Sequence, residues 1–388
     1  MTYDVAPEWV HVQYSETSQF TEVYGFVGSQ GTINCEGVRY VPRGVPAKTL
    51  ALFMHPASTL QLLPMPRALA AAGVHVLCAG SRYAKNDAPL IMEKVALDLG
   101  AYVRHAKERW GYEKILLAGW SGGGSLALFY QSQAEKPSVT ATPAGDPVDL
   151  KAARLIPADA MVFQAAHLSR ARMLSEWIDP SVTDESDPET RAPELDIYNP
   201  QCPNQPPYSA DFIRAFRAAQ LARLRRRTAW VKETLSSLKA RAGDEQERGF
   251  VTYRTMADPR FMDPAIDPND RKPRWCYLGQ PESANTGPVG LARFSTLRAW
   301  LSQWSEASNA DGPRCAASVS VPFLAVENSA DDAVPQPHTG IIHDCAASRD
   351  KTMKVIRGAT HYYQGQPAEL RQAVETWTGW MRERNLLH

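Results

Sequence analysis

An open, mainly parallel α/β sheet with helices on both faces is the fold class that this 388-residue sequence predicts. Three observations carry that reading. Short apolar runs alternate with helical segments from about residue 49 to 164, and strands return at 321–326 and 354–357 before a last helix. The run Lys114-Ile115-Leu116-Leu117-Ala118 is apolar without alternation, as in a strand covered on both faces. A glycine cluster follows it directly, at the strand end where open α/β sheets carry their sites.

Residues 1 to about 45 read as antiparallel strands and turns, with strands at Trp9–Tyr14, Phe20–Val27 and Val38–Val41. Next come a strand at 49–54, an apolar helix at about 61–72, a strand at 74–79 and a helix near 89–109. The strand at 114–118 leads into a helix beginning Ser125-Leu126-Ala127-Leu128, and a further strand is expected at Ala158–Gln164. Between about 166 and 306 this rhythm breaks. Prolines crowd the 190s through Pro207, a basic helix follows, Asp and Pro enrich 258–273, and an aromatic helix is expected over Phe294–Trp304. The chain therefore divides into a first core part at 1–165, an insertion at 166–306 and a second core part at 307–388.

The glycine cluster is Gly119-Trp120-Ser121-Gly122-Gly123, a G-x-S-x-G sequence between strand and helix. A serine in so sharp a turn has its hydroxyl pushed out above the sheet, and the positions two before and two after must be nearly free of side chain. Gly119 and Gly123 meet that need. The bare pentapeptide arises by chance in roughly one chain of this length in ten, so context decides. A phosphate loop requires a lysine closing the glycine run, whereas Gly124 is followed by Ser125-Leu126; G-x-G-x-x-G spacing is also absent.

A serine hydroxyl needs a histidine to take its proton and a carboxylate to hold that histidine's tautomer. His361 follows the strand Lys354–Arg357 in the loop Gly358-Ala359-Thr360-His361-Tyr362-Tyr363. The strand Val321–Val326 runs into Glu327-Asn328-Ser329-Ala330-Asp331-Asp332, where Asp331 is the preferred acid, Asp332 the alternative and Glu327 too near the strand end. One of the two aspartates is free to cap the helix beginning near Gln336.

The order Ser121, Asp331, His361, each after its own strand, resembles the α/β-hydrolase superfamily. A strand ending His55-Pro56-Ala57-Ser58 adds to the likeness. The resemblance implies an α/β-hydrolase fold in which the insertion is a largely helical lid. It also implies an oxyanion hole made by the backbone N–H groups of Gly122 and Ala57, since Pro56 stands where glycine is usual and has no N–H to donate. The implied activity is that of a serine hydrolase cleaving a carboxylic ester through an acyl-enzyme, with its rate falling as pH drops through roughly 6 to 7. The same triad serves lactonases, thioesterases, amidases, carbon–carbon hydrolases and acyltransferases, and some relatives bind ligands without catalysis. Epoxide hydrolases and haloalkane dehalogenases use aspartate at the elbow, against which Ser121 counts.

Four further residues are candidates to line the acyl pocket: His55, Trp120, Arg82 and Tyr362. For His55 the alternative is a structural ring bonding within its own loop. In the insertion, the arginines of Phe212–Arg227 either reach into the cleft for a substrate carboxylate or phosphate, or form a solvated face pairing with acids such as Glu245 and Glu247; the second reading is preferred. Trp275, Tyr277, Trp300 and Trp304 read as core of the insertion.

With 44% hydrophobic residues and a mean hydropathy of −0.35, the chain can bury a large core. Lys plus Arg and Asp plus Glu are both 42, so no charge excess marks a nucleic-acid or anionic-membrane partner. A small, mostly apolar acyl substrate is the expected partner, and self-association is left open. Six scattered cysteines without C-x-x-C, and histidines without His-x-x-x-His spacing, imply no metal and no cofactor. The first residues have neither basic nor apolar targeting character, from which a cytoplasmic location is expected.

Overall fold

The computed structural model describes residues 2–16, 31–241, 243, 245–267 and 269–387. In chain order its main elements are β1 (Val5–Ser15), β2 (Thr32–Pro42), β3 (Thr49–His55), α1 (Pro64–Ala71), β4 (His75–Gly80), α2 (Met92–Glu108), β5 (Lys114–Ser121), α3 (Gly122–Glu135) and β6 (Ala160–Ala166). There follow α4 (Arg170–Trp177), α5 (Ala210–Arg241), β7 (Gly249–Val251), α6 (Pro259–Met262), α7 (Pro281–Thr286), β8 (Phe294–Thr296), α8 (Leu297–Gln303) and α9 (Gly312–Ala316). The chain then returns through β9 (Phe323–Asn328), α10 (Pro337–Cys345), β10 (Lys351–Ile356) and α11 (Pro367–Glu383). The strand expected at Phe20–Val27 lies outside the described residues.

Eight strands form one sheet in the order β1-β2-β4-β3-β5-β6-β9-β10. β2 pairs antiparallel with both β1 and β4, and the pairs from β4 through β10 are parallel. Residues of one strand alternate between two cores. Leu50, Leu52, Ile115, Leu117 and Phe163 pack with Leu99 of α2 and Phe129 of α3 on one face. Ala51, Phe53, Leu116, Ala118 and Val162 pack with Leu69 of α1 and Trp377 of α11 on the other. Because both faces of β3, β4, β5 and β6 are covered, these strands carry no polar alternation, and each fully buried large side chain contributes about 1.5–3 kcal/mol.

Between β6 and β9 the chain builds three further apolar clusters of its own, around Trp300 and Leu224, around Trp177 and Phe261, and around Phe216 and Ile197. The basic stretch lies in the 32-residue helix α5, in which Arg223 and Arg227 are buried while Arg214, Arg225 and Arg226 are exposed. Arg223 donates to Glu185 and to the carbonyls of Asp179, Tyr253 and Arg254. Arg217 holds Asp258 and the Glu176 carbonyl, and Arg225 pairs with Glu306 at the surface. A solvated arginine face is present, but its acids differ from those expected: Arg214 and Arg225 bond Asp211 and Glu306 at the surface, while Glu245 and Glu247 serve Arg248 and Arg298. An arginine fork can satisfy several carbonyls at once, which lets it be buried where irregular loops cross a helix.

The segment between β6 and β9 docks on the N-terminus of α2. Ser302 Oγ accepts from the Met92 N–H at 2.8 Å and donates to buried Glu93 at 2.8 Å, while Gln303 donates to the carbonyls of Asp87 and Leu90. Among the described residues no helix is long and apolar enough to cross a membrane.

Candidate active site

Ser121 ends β5 and stands directly before α3, with φ of 51° and ψ of −128°. A side chain there strains the backbone by about 1–3 kcal/mol, which persists only where the surroundings over-determine it. Here they do. A Cβ on Gly119 would lie 2.7 Å from the Gly124 Cα, and one on Gly123 would fall on the Met54 carbonyl oxygen of β3. Only glycine at both positions lets strand and helix close to this distance.

His361 follows β10, is buried, and its Nδ1 lies 3.1 and 3.0 Å from the two carboxylate oxygens of Asp331. A carboxylate only accepts, so Nδ1 carries the proton and Nε2 is left as a base. Asp331 is itself held by the N–H groups of Ala333 and Val334, at 2.8 and 2.7 Å. Burial lowers the His361 pKa, but the charge of Asp331 and its hydrogen bond outweigh burial and the net shift is upward. Asp332 makes no such contact: its Oδ1 is buried without a partner, and burial beside Asp331 raises its pKa.

Ser121 and His361 line the same cavity of about 300 Å³, together with His55, Ala57, Tyr362 and the α4 side chains. No hydrogen bond joins the serine hydroxyl to the imidazole in this resting arrangement; such contacts commonly tighten only around a substrate.

Ala57 differs from expectation, while His55 lines the cavity and bonds within its own loop. His55 Nδ1 accepts from the N–H of Ala57 at 3.1 Å and of Ser58 at 2.8 Å. The Ala57 N–H is therefore engaged within its own loop rather than free for an oxyanion. Accepting two amide protons at Nδ1 forces the His55 proton onto Nε2. That nitrogen would lie 2.6 Å from a Cβ on Gly122, so the ring sits over the first residue of α3. Burial, Arg170 and His361 pull the His55 pKa down to about 3, leaving a neutral ring with a fixed N–H. The N–H of Gly122, first in its helix, has no intrahelical acceptor.

Two expected pocket residues turn elsewhere. Arg82 is withdrawn into the core, where its guanidinium bonds Asp98, Glu16 and the Tyr14 hydroxyl, because a cation beside a buried carboxylate is held more strongly than one at a cleft edge. Trp120 is buried behind the site, its ring 5.9 Å from that of His361 and 6.1 Å from that of Tyr363. Tyr362 does line the cavity, edge-on to His361 at 4.6 Å.

Sequence reasoning missed the support beneath the histidine loop. Gln164 of β6 receives Trp377 Nε1 and donates to the Tyr363 hydroxyl, which donates to Asn328; Asn328 in turn donates to the Thr360 carbonyl. The available signal was a glutamine in the middle of an apolar strand, which is buried only when bonded. His167, Arg170 and Trp304 also line the cavity and were not singled out for it. A larger cavity of about 750 Å³ beside β1 and α2 contains none of these residues.

No family model and no curated protein matches this chain. Among solved structures, DcsB in complex with its substrate analogue aligns over 97% of this chain and 99% of that one, with 13% identity and a TM-score of 0.52. Est1E from Butyrivibrio proteoclasticus aligns over 92% and 97%, at 14% identity and a TM-score of 0.47. Brefeldin A esterase, a bacterial homologue of human hormone-sensitive lipase, aligns over 98% and 78%, at 16% identity and a TM-score of 0.43.

Proposed function

We propose, from the α/β-hydrolase fold that this chain adopts, that it is a serine hydrolase cleaving a carboxylic ester or related acyl bond of a small substrate. The observation that carries the reading is the Asp331–His361 hydrogen bond facing one cavity with a serine held at φ of 51°. In this scheme Ser121 attacks the acyl carbonyl while His361 Nε2 takes its proton, and Asp331 keeps the imidazole in the required tautomer. The protonated imidazole then gives its proton to the leaving group. Water repeats the sequence on the acyl-enzyme, and the acid departs.

The negative oxygen of the tetrahedral intermediate needs donors fixed in place before charge develops. Those assigned here are the Gly122 N–H and His55 Nε2–H. The second replaces the Ala57 N–H, whose donor capacity the His55 ring already uses. Residues 166–306 act as the cap: Met173, Trp177, Tyr277, Leu291 and Trp304 supply apolar wall to the cavity, which keeps water from the acyl-enzyme.

One kinetic series tests the assignment. Ser121→Ala is expected to lower kcat on p-nitrophenyl esters by about 10⁴-fold or more and to abolish labelling by an organophosphonate. His55→Asn keeps an oxygen for the loop amides but does not reach the Nε2 position, and is expected to lower kcat by about 10²-fold with KM little changed. Labelling that survives in Ser121→Ala would move the nucleophile elsewhere, and an unaltered kcat in His55→Asn would remove that donor.

A further inference from the structure

Two buried polar side chains on the cavity wall have unfilled hydrogen-bonding capacity and no part in the scheme above. Arg170 opens α4, 6% exposed, with its guanidinium 4.2 Å from the centre of the Trp304 ring. A guanidinium carries five N–H groups. Among the described residues the only acceptor offered to this one is Asp87, 2.5 Å from Nη2, and Nε is buried without a partner. His167, three residues earlier, is 8% exposed; its Nδ1 is buried with no partner. Burial, with His338 and Arg170 nearby, pushes its pKa well below the usual value, so the ring is neutral. Both line the cavity that holds Ser121.

Charge in the cavity favours an anion. Lys85 and Arg170 are the cations on its wall, Asp87 is the carboxylate there among the described residues, and the imidazoles of His55 and His167 are uncharged. Asp87, with 41% of its side chain exposed, neutralises only part of that charge. Buried donors left unpaired are costly, and a planar fork stacked on an indole suits a planar carboxylate.

We propose that Arg170 and His167 form a subsite for a carboxylate carried by the substrate beside its scissile acyl bond. The proposal rests on the hydrolase reading and narrows it: the substrate is a monoester of a dicarboxylic acid, or an ester of a hydroxy acid. The arginine supplies charge and two parallel N–H donors to the carboxylate, and the neutral imidazole supplies one more. Trp304 holds the guanidinium plane in place.

Two substrate pairs on the wild-type protein distinguish the sources. p-Nitrophenyl monoglutarate against p-nitrophenyl valerate puts the carboxylate on the acyl side; O-acetyl-lactate against 3-methylbutan-2-yl acetate puts it on the alcohol side. In one pair the charged ester is expected to show kcat/KM higher by on the order of 10- to 100-fold, and in Arg170→Met that ratio is expected to fall to near one. His167→Phe, which leaves the arginine, is expected to lower the ratio in part. Glutarate binding, followed by calorimetry and thermal shift on wild type and Arg170→Met, needs no turnover. If no ester is hydrolysed, the hydrolase reading fails, and glutarate binding that depends on Arg170 still supports the subsite. Neutral esters hydrolysed as fast as charged ones in both pairs, or glutarate binding equal in wild type and Arg170→Met, overturns the proposal.

Discussion

At His361 two opposing effects act on one ring. Burial favours the neutral form, and the hydrogen-bonded carboxylate of Asp331 favours the charged form and prevails. The base must be neutral to work, so kcat/KM is expected to fall about tenfold per pH unit below a midpoint lying above 6.5. Asp331→Asn is expected to lower kcat by about 10⁴-fold, because an amide can present a proton to Nδ1 and reverse the tautomer. A pH profile on the wild type, flat down to pH 5, would contradict His361 as the base. Ser121 and His361 were legible because each follows a strand end in a short glycine-marked turn. Arg82 and Trp120 were not, since the direction a side chain takes past a strand depends on partners far along the chain. Arg82 meets Asp98 on α2, and Trp120 meets Tyr363 beyond β10.

Among elements, the β5–α3 junction is the most constrained. Gly123→Ala is expected to part α3 from β3, because its methyl would occupy the position of the Met54 carbonyl oxygen. The cost is about 1–3 kcal/mol, read as a lowered Tm together with loss of the proposed ester hydrolysis; an unchanged Tm would mean the close approach is relaxed in solution. The alternation of strands and helices was readable in order, with edges displaced by a few residues: β6 begins at Ala160 rather than Ala158, and α1 at Pro64 rather than 61. The basic face of α5 misled because charge alone does not say which side of a helix is covered. Arg223 is buried by the loops around Tyr253 and Asp179, whose carbonyls no periodicity displays.

Over the whole molecule, the segment between β6 and β9 is joined to helix α2 through a buried carboxylate. Glu93 accepts from Ser302 and Asn309, and burial raises its pKa despite those bonds. A folded-state pKa above the unfolded value of about 4.3 gives a contribution to stability that is complete below the unfolded value and lost as pH rises through the folded one. Glu93→Gln is therefore expected to gain Tm relative to wild type as pH goes from 4 to 7, by differential scanning calorimetry. A difference independent of pH would show that this carboxyl does not titrate differently on folding. The break in rhythm after β6 was legible, but the attachment of α8 to α2 was not, because Ser302 and Glu93 are 209 positions apart.

The bonds linking α11 through Trp377 and Gln164 to the loop of His361 tie the C-terminal helix to the histidine turn. The strained serine turn is made from neighbours in sequence and from β3, whereas the imidazole rests on support that α11 supplies. In the proposed scheme, a chain with that helix undocked presents an unarmed hydroxyl.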